Sequence, residues 1–317
     1  MVERPSKVTN EMTKPGTHVG EILLLYLGVA ACATSVIFIK QSTVHPALVP
    51  AYRLAIASLL MAPAFFRESR KHAGWLTGRR FAGLLLGALL LALHFIAWTA
   101  GARLTPSTNG TLLVNLAPVV MPFILFFQLG ERLTRREWTG TALSFAGILW
   151  LAASDYRFDR AHCLGDLLCF VAMLLFAFYL VIARVHRDIP SIWLYSVPLY
   201  AMAALISLAL AAPFAHVVEI YPAREYLYLG ALALLPTIGG HTLVNRAMRN
   251  LRGQTVTLAT STQFIFAGVL AAAFLGEKTP SSVYPAAALV AAGALVVILS
   301  KPPSTVPAQA ISEGDAT

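Results

Sequence analysis

From residue 21 to residue 300 the chain is a succession of apolar runs, each about the length that crosses a bilayer. A spanning helix needs about 20 mostly apolar residues. Such runs fall at 21–40, 46–66, 81–102, 107–129, 138–154, 164–184, 190–212, 225–246, 254–276 and 283–300. The pattern predicts an all-α polytopic membrane protein of ten transmembrane helices. The connections are short, and several carry breakers such as Pro106, Pro190, Pro222 and Pro280. The polar stretches 1–20 and 301–317 read as tails without fixed structure.

Composition excludes the soluble classes. Charged residues make up 12% of the chain and the mean hydropathy is +0.69, whereas a soluble domain carries about 25% charged residues. The surplus apolar surface has to face lipid. A net charge of +9 could suggest a nucleic-acid partner, but the basic residues sit in small groups between apolar runs, which is how topology signals are distributed. Cys32, Cys163 and Cys169 lack metal-ligand spacing and form no CxxC pair. Val29-Ala30-Ala31-Cys32 has the look of a lipoprotein cleavage site, but the apolar run continues past it to Ile39, as an uncleaved first helix would.

Counting Lys and Arg on alternate sides of the ten runs orients the chain. With a cytoplasmic N-terminus, 17 lie inside and 6 outside, and Arg53 remains within a span. This bias predicts a cell inner (plasma) membrane protein with both termini cytoplasmic.

An internal repeat divides the chain. Shifting the sequence by 146 residues aligns Arg103–Leu149 with Arg249–Leu295 without a gap, and eleven of the 47 positions are identical. The identities include Leu129-Gly130-Glu131 against Leu275-Gly276-Glu277. The shift spans five helices, an odd number, so the two halves, 21–154 and 164–300, are expected in opposite orientations. Inverted repeats of this kind recur in alternating-access carriers.

These residues resemble the EamA family of the drug/metabolite transporter superfamily. The resemblance is carried by His94-Phe95-Ile96-Ala97-Trp98, Leu116-Ala117-Pro118 and the Leu-Gly-Glu triplet. In the second half it is carried by Gly240-His241, Asn245 and Leu275-Gly276-Glu277-Lys278, and Pro46 with Arg53 and Gly165-Asp166 also fit the pattern. It implies a central cavity lined mainly by helices 1, 3, 4, 6, 8 and 9. Two departures bear on cavity shape: Cys32-Ala33-Thr34-Ser35 replaces a common Trp-Gly pair, and Gln263-Phe264 stands where a proline mirroring Pro118 is often found.

Polar groups near mid-span are the candidate substrate-binding residues, because they are costly in a bilayer unless they face the bundle interior. His94 and Trp98 share a face of the third helix, with Trp98 either an aromatic wall or an interfacial anchor. Thr108, Thr111 and Asn115 precede Pro118 in the fourth. Thr237, His241 and Asn245 form a stripe in the eighth, and Thr260 and Gln263 lie near the middle of the ninth. Each of these could equally hydrogen-bond between packed helices. Arg53 needs a partner or a water-filled vestibule and reads as structural. Glu131 and Glu277 fall at opposite faces and read as helix-end groups. No carboxylate falls at mid-span, so His94 or His241 is the candidate proton site if transport is proton-coupled.

The expected function is secondary transport of a small polar or amphiphilic metabolite, as an exporter or exchanger. No metal, cofactor or catalytic residue is implied, since HExxH, GxSxG, CxxC and Walker sequences are absent. The expected partners are the substrate and the lipid bilayer, with a second copy in a homodimer as a further candidate, and no nucleic acid. The alternatives are a membrane-embedded scaffold or receptor, or a phosphate or nucleotide-sugar exchanger.

Overall fold

The computed structural model describes residues 15–74, 77–155, 162–217, 219–278 and 280–299. The two tails fall mostly outside them, although helix already begins at Pro15, inside the stretch expected to be unstructured. All regular structure among the described residues is helical. Eight helices are long and apolar enough to cross a membrane. They are α1 (Val19–Gln41), α2 (Leu48–Lys71), α3 (Phe81–Leu104), α4 (Asn109–Leu129), α6 (Cys163–Val185), α7 (Ile192–Ala211), α8 (Ala223–Asn250) and α9 (Gly253–Leu275). Two more complete the sequence: α5 (Arg135–Asp155) carries three charges in its first turn, and α10 (Val283–Ile298) is apolar but shorter.

About half of each spanning helix is buried and half faces outward. The outward residues are large and apolar, among them Leu27, Leu60, Phe123, Phe127, Leu205 and Val269. Such an unbroken apolar exterior requires lipid around it. The protein is therefore a multi-pass membrane protein.

The helices pack in pairs related by the repeat. The main contacts α3 with α6, α4 with α6 and α3 with α7 each have a counterpart five helices away: α1 with α8, α1 with α9 and α2 with α8. The pairs α2–α7, α4–α9 and α5–α10 map onto themselves. Small residues show how close one of these pairs comes. A Cβ on Gly293 would lie 2.5 Å from the Gly140 carbonyl oxygen, and one on Gly147 would lie 2.8 Å from that of Ala286. Gly147 and Gly293 are repeat equivalents, so the same close approach of α5 and α10 occurs twice. Gly268 of α9, by contrast, has open space around it.

The repeated Leu-Gly-Glu triplet has a structural cause. Gly130 and Gly276 end α4 and α9 in the left-handed conformation, with φ of 65° and 67°, which glycine adopts without steric cost. The next amide folds back, from Glu131 to the Leu125 carbonyl at 3.2 Å and from Glu277 to the Ala271 carbonyl at 3.3 Å. Each glutamate is thereby turned toward the other half. Glu277 Oε1 accepts from Lys40 Nζ at the end of α1 (2.9 Å), and Glu131 Oε2 accepts from Arg184 Nε at the end of α6 (2.8 Å). Arg103 and Arg249, also repeat equivalents, donate to the Val44 and Ile189 carbonyls in the loops that follow those helices.

Candidate binding site

Two helices, α4 and α9, are broken at the same repeat position, and α1 is interrupted as well, at Thr34. In α4 the α-helix stops at Val114 and restarts at Ala117; in α9 it stops at Ser261 and restarts at Gln263, 146 residues after Ala117. In the first half Pro118 supplies no amide hydrogen and forces the bend, and Asn115 Nδ2 donates to the Thr111 carbonyl at 2.7 Å. The second half has no proline there. Instead Thr260, Ser261 and Thr262 each return their hydroxyl to the carbonyl three residues back, at 2.7–2.9 Å. Such back-bonds compete with helix geometry and bend it. The break is conserved in position while its chemistry differs. Gln254 ties the two broken helices, donating to the Pro118 carbonyl at 2.9 Å.

α8 is irregular at the same level. Ala233–His241 is π-helical, with Pro236 inside it, a geometry that tends to occur at functional sites. Its Thr237 hydroxyl donates to the Leu232 carbonyl five residues back and accepts from Arg53 Nε at 2.9 Å.

Between these irregular helices lies a small cavity. Its walls include Cys32 and Ser35 of α1, Arg53 of α2, His94, Phe95 and Trp98 of α3, and Asn115 of α4. Phe176 of α6, His241 and Val244 of α8, and Thr260 and Gln263 of α9 complete it. Its volume of about 30 Å³ is room for roughly one water, so a metabolite would need the helices to part. Aromatic rings form one side: His94 stacks on Phe176 with centroids 5.0 Å apart, and His241 meets Phe95 edge-on at 4.7 Å. His94 Nδ1 is bonded to the Ala172 carbonyl at 2.8 Å, whereas His241 Nδ1 has no partner among the described residues.

Of the nine expected site residues, six meet at this cavity: His94, Trp98, Asn115, His241, Thr260 and Gln263. Trp98 is 4% exposed, a cavity wall and not an interfacial anchor. The other three lie behind the wall. Thr111 is fully buried, Thr237 is bonded to Arg53, and Asn245 donates to the Tyr179 hydroxyl. The Thr108 side chain lies outside the described residues. Sequence reasoning did not single out Phe95, Phe176 or Val244 as lining residues, tied Cys32–Ser35 only to cavity shape, and read Arg53 as structural. The signal for Arg53 was its standing as the one Lys or Arg left within a span.

A second, open space of about 610 Å³ lies at the end of the bundle that holds the Lys40–Glu277 pair. Arg103, Thr105, Asn109, His162 and Lys278 line it. At the other end Glu131, Arg184, Arg252 and Glu137 form a cluster of ion pairs, with Arg252 Nε 2.6 Å from Glu137.

The model of the EamA-like transporter family matches the chain twice, over residues 19–153 and 163–299. The chain belongs to the EamA-like transporter family. That places it in the drug/metabolite transporter superfamily and makes its two halves EamA repeats. A solved structure titled "Crystal structure of protein" is similar to this EamA protein with a TM-score of 0.70 and 18% sequence identity, covering 89% of this chain and 98% of its own. At that identity the likeness concerns the EamA fold alone. No curated protein matches the chain. Members of the EamA family are transporters, not enzymes.

Proposed function

We propose that this protein is a ten-span secondary carrier of the inner membrane, with both termini cytoplasmic, that moves a small polar or amphiphilic metabolite by alternating access. The observation that carries this reading is the pair of helix breaks at repeat-equivalent positions beside one cavity. Broken helices expose backbone polar groups at mid-membrane, where a solute can use them. The cavity draws residues from both halves, so rocking one half against the other would change its access without dismantling it. The Glu277–Lys40 and Glu131–Arg184 pairs, both formed in the described conformation, are then clamps between the halves, one at each end. The larger open space lies at the Lys40 end, which is the outer end on the orientation that the basic residues favour.

A cavity of mixed aromatic, amide and hydroxyl character suits a small solute of low charge, exported or exchanged. A phosphate or nucleotide-sugar substrate would need more cationic groups than Arg53 alone supplies there. The test is counterflow in proteoliposomes loaded with pooled amino acids, nucleosides, amines and vitamins. Saturable exchange of one class, lost in His94→Ala or Asn115→Ala protein that still melts normally, is the expected result. Normal folding with no exchange of any class would favour a scaffold or receptor.

A further inference from the structure

Arg53 is fully buried, yet only its Nε has a hydrogen-bond partner, the Thr237 hydroxyl. Nη1 and Nη2, the two nitrogens of the guanidinium fork, are buried and have none among the described residues. The cation lies over the Phe95 ring, 4.1 Å from Cζ to the centroid, which offsets part of its cost but satisfies no N–H. Every ion pair of the described residues lies near a helix end, and none involves Arg53. A buried guanidinium without a counter-charge is among the costliest arrangements in a membrane protein. Arg53 also lines the cavity, as do His94, Asn115, His241, Thr260 and Gln263, none of them acidic.

We infer that the Arg53 fork is the anchor for a carboxylate of the transported solute. The reading rests on the proposed carrier function and names the chemistry of its substrate. Two parallel N–H groups match the two oxygens of one planar carboxylate. Thr237 holds Nε, which fixes the plane of the guanidinium and leaves the fork free for the ligand. The body of the solute would then lie along the rings of Phe95, His94, Phe176 and His241, whose centroids are 4.7–6.0 Å apart. The carboxylate can belong to a simple monocarboxylate or to a zwitterion. A cationic amine gains nothing from a cavity that already carries one positive charge and no carboxylate. Because Arg53 stands on α2 and Thr237 on α8, in different halves, neutralising the guanidinium also changes a contact that the two halves share.

The experiment is equilibrium binding to the purified protein in nanodiscs, by isothermal titration, with four probes of one shape: 3-phenylpropionate, L-phenylalanine, L-phenylalaninamide and 3-phenylpropanol. Both acids are expected to bind at least tenfold more tightly than the amide and the alcohol. Arg53→Gln should erase that preference. Should Arg53→Gln fail to fold, Arg53→Lys carries the test: it keeps the charge, loses the fork, and should lose most of the preference. Tighter binding of phenylalanine would assign a zwitterion, and tighter binding of phenylpropionate a simple acid. Equal binding of acid and alcohol, failure of both acids to bind, or an unchanged acid preference in Arg53→Gln or Arg53→Lys would overturn the inference. Binding of the alcohol or amide that is sensitive to His94→Ala would leave the carrier reading intact while removing the carboxylate.

Discussion

Glu277 follows the end of α9 in one half of the protein and Lys40 lies at the end of the first helix of the other, and they meet at 2.9 Å with Ser107 donating its hydroxyl to the same carboxylate at 2.8 Å. Glu131 and Arg184 repeat the relationship at the opposite end. If these are clamps, weakening them should act from opposite sides. Cys32 supplies a native reporter, being a free, buried thiol in the cavity wall. In a Cys163→Ser, Cys169→Ser background, Glu277→Gln should raise labelling of Cys32 by an impermeant maleimide from the Lys40 side. Glu131→Gln should raise it from the other side. Several-fold increases from opposite sides are expected, and identical changes from one side would rule out a clamp at each end.

The same carboxylate predicts a pH dependence. Partial burial pushes the Glu277 carboxyl up, but hydrogen bonds from Lys40 and Ser107 and the Lys40 charge outweigh it and hold the group below its ordinary 4.5. The unfolded chain therefore binds more protons than the native one in that window, and stability rises with pH through it. The contribution is fully present above pH 4.5 and fades as pH falls through the native value. It should be about 1 kcal/mol or less, since the pair is partly exposed. Thermal melting of wild type and Glu277→Gln between acid and neutral pH should differ near neutrality and converge in acid.

Close packing of α5 and α10 gives a contrast between two glycines. Gly293→Ala would set a Cβ 2.5 Å from the Gly140 carbonyl oxygen and even closer to the Ser144 hydroxyl, forcing the helices apart at a cost of about 1–3 kcal/mol. Gly268→Ala meets open space and should stabilise α9 by about 0.5–1 kcal/mol through helix propensity. Melting temperatures should move in opposite directions, and a neutral Gly293→Ala would show that the two helices are free to separate.

Much of this architecture was legible in the residues, and the limits have physical causes. The 146-residue shift located the Leu-Gly-Glu triplet and the arginine pair Arg103/Arg249, because glycine conformation and loop anchoring demand particular residue types. The break in α9 was obscured because three hydroxyl side chains do there what Pro118 does in α4. The stripe Thr237, His241, Asn245 was spaced for an α-helix. The π-helical turn through Ala233–His241 widens the helix, and only His241 of the three lines the cavity. Arg53 looked structural because sequence cannot show that two of its three nitrogens lack partners.

That difference separates two asparagines that the sequence treats alike. Asn115 lines the cavity and spends its amide nitrogen on the Thr111 carbonyl of its own broken helix. Asn245 is fully buried behind the wall and joins α8 to α6 through the Tyr179 hydroxyl. Asn115→Ala should therefore weaken ligand binding several-fold while shifting the melting temperature little. Asn245→Ala removes a buried hydrogen bond between two helices, which costs about 1 kcal/mol, so it should lower the melting temperature while leaving affinity close to wild type in protein that remains folded. Titration and thermal melting of the two variants side by side decide the matter. The reverse pattern, with Asn245 controlling affinity and Asn115 controlling stability, would move the binding site out of the cavity between α4 and α9 and toward α6.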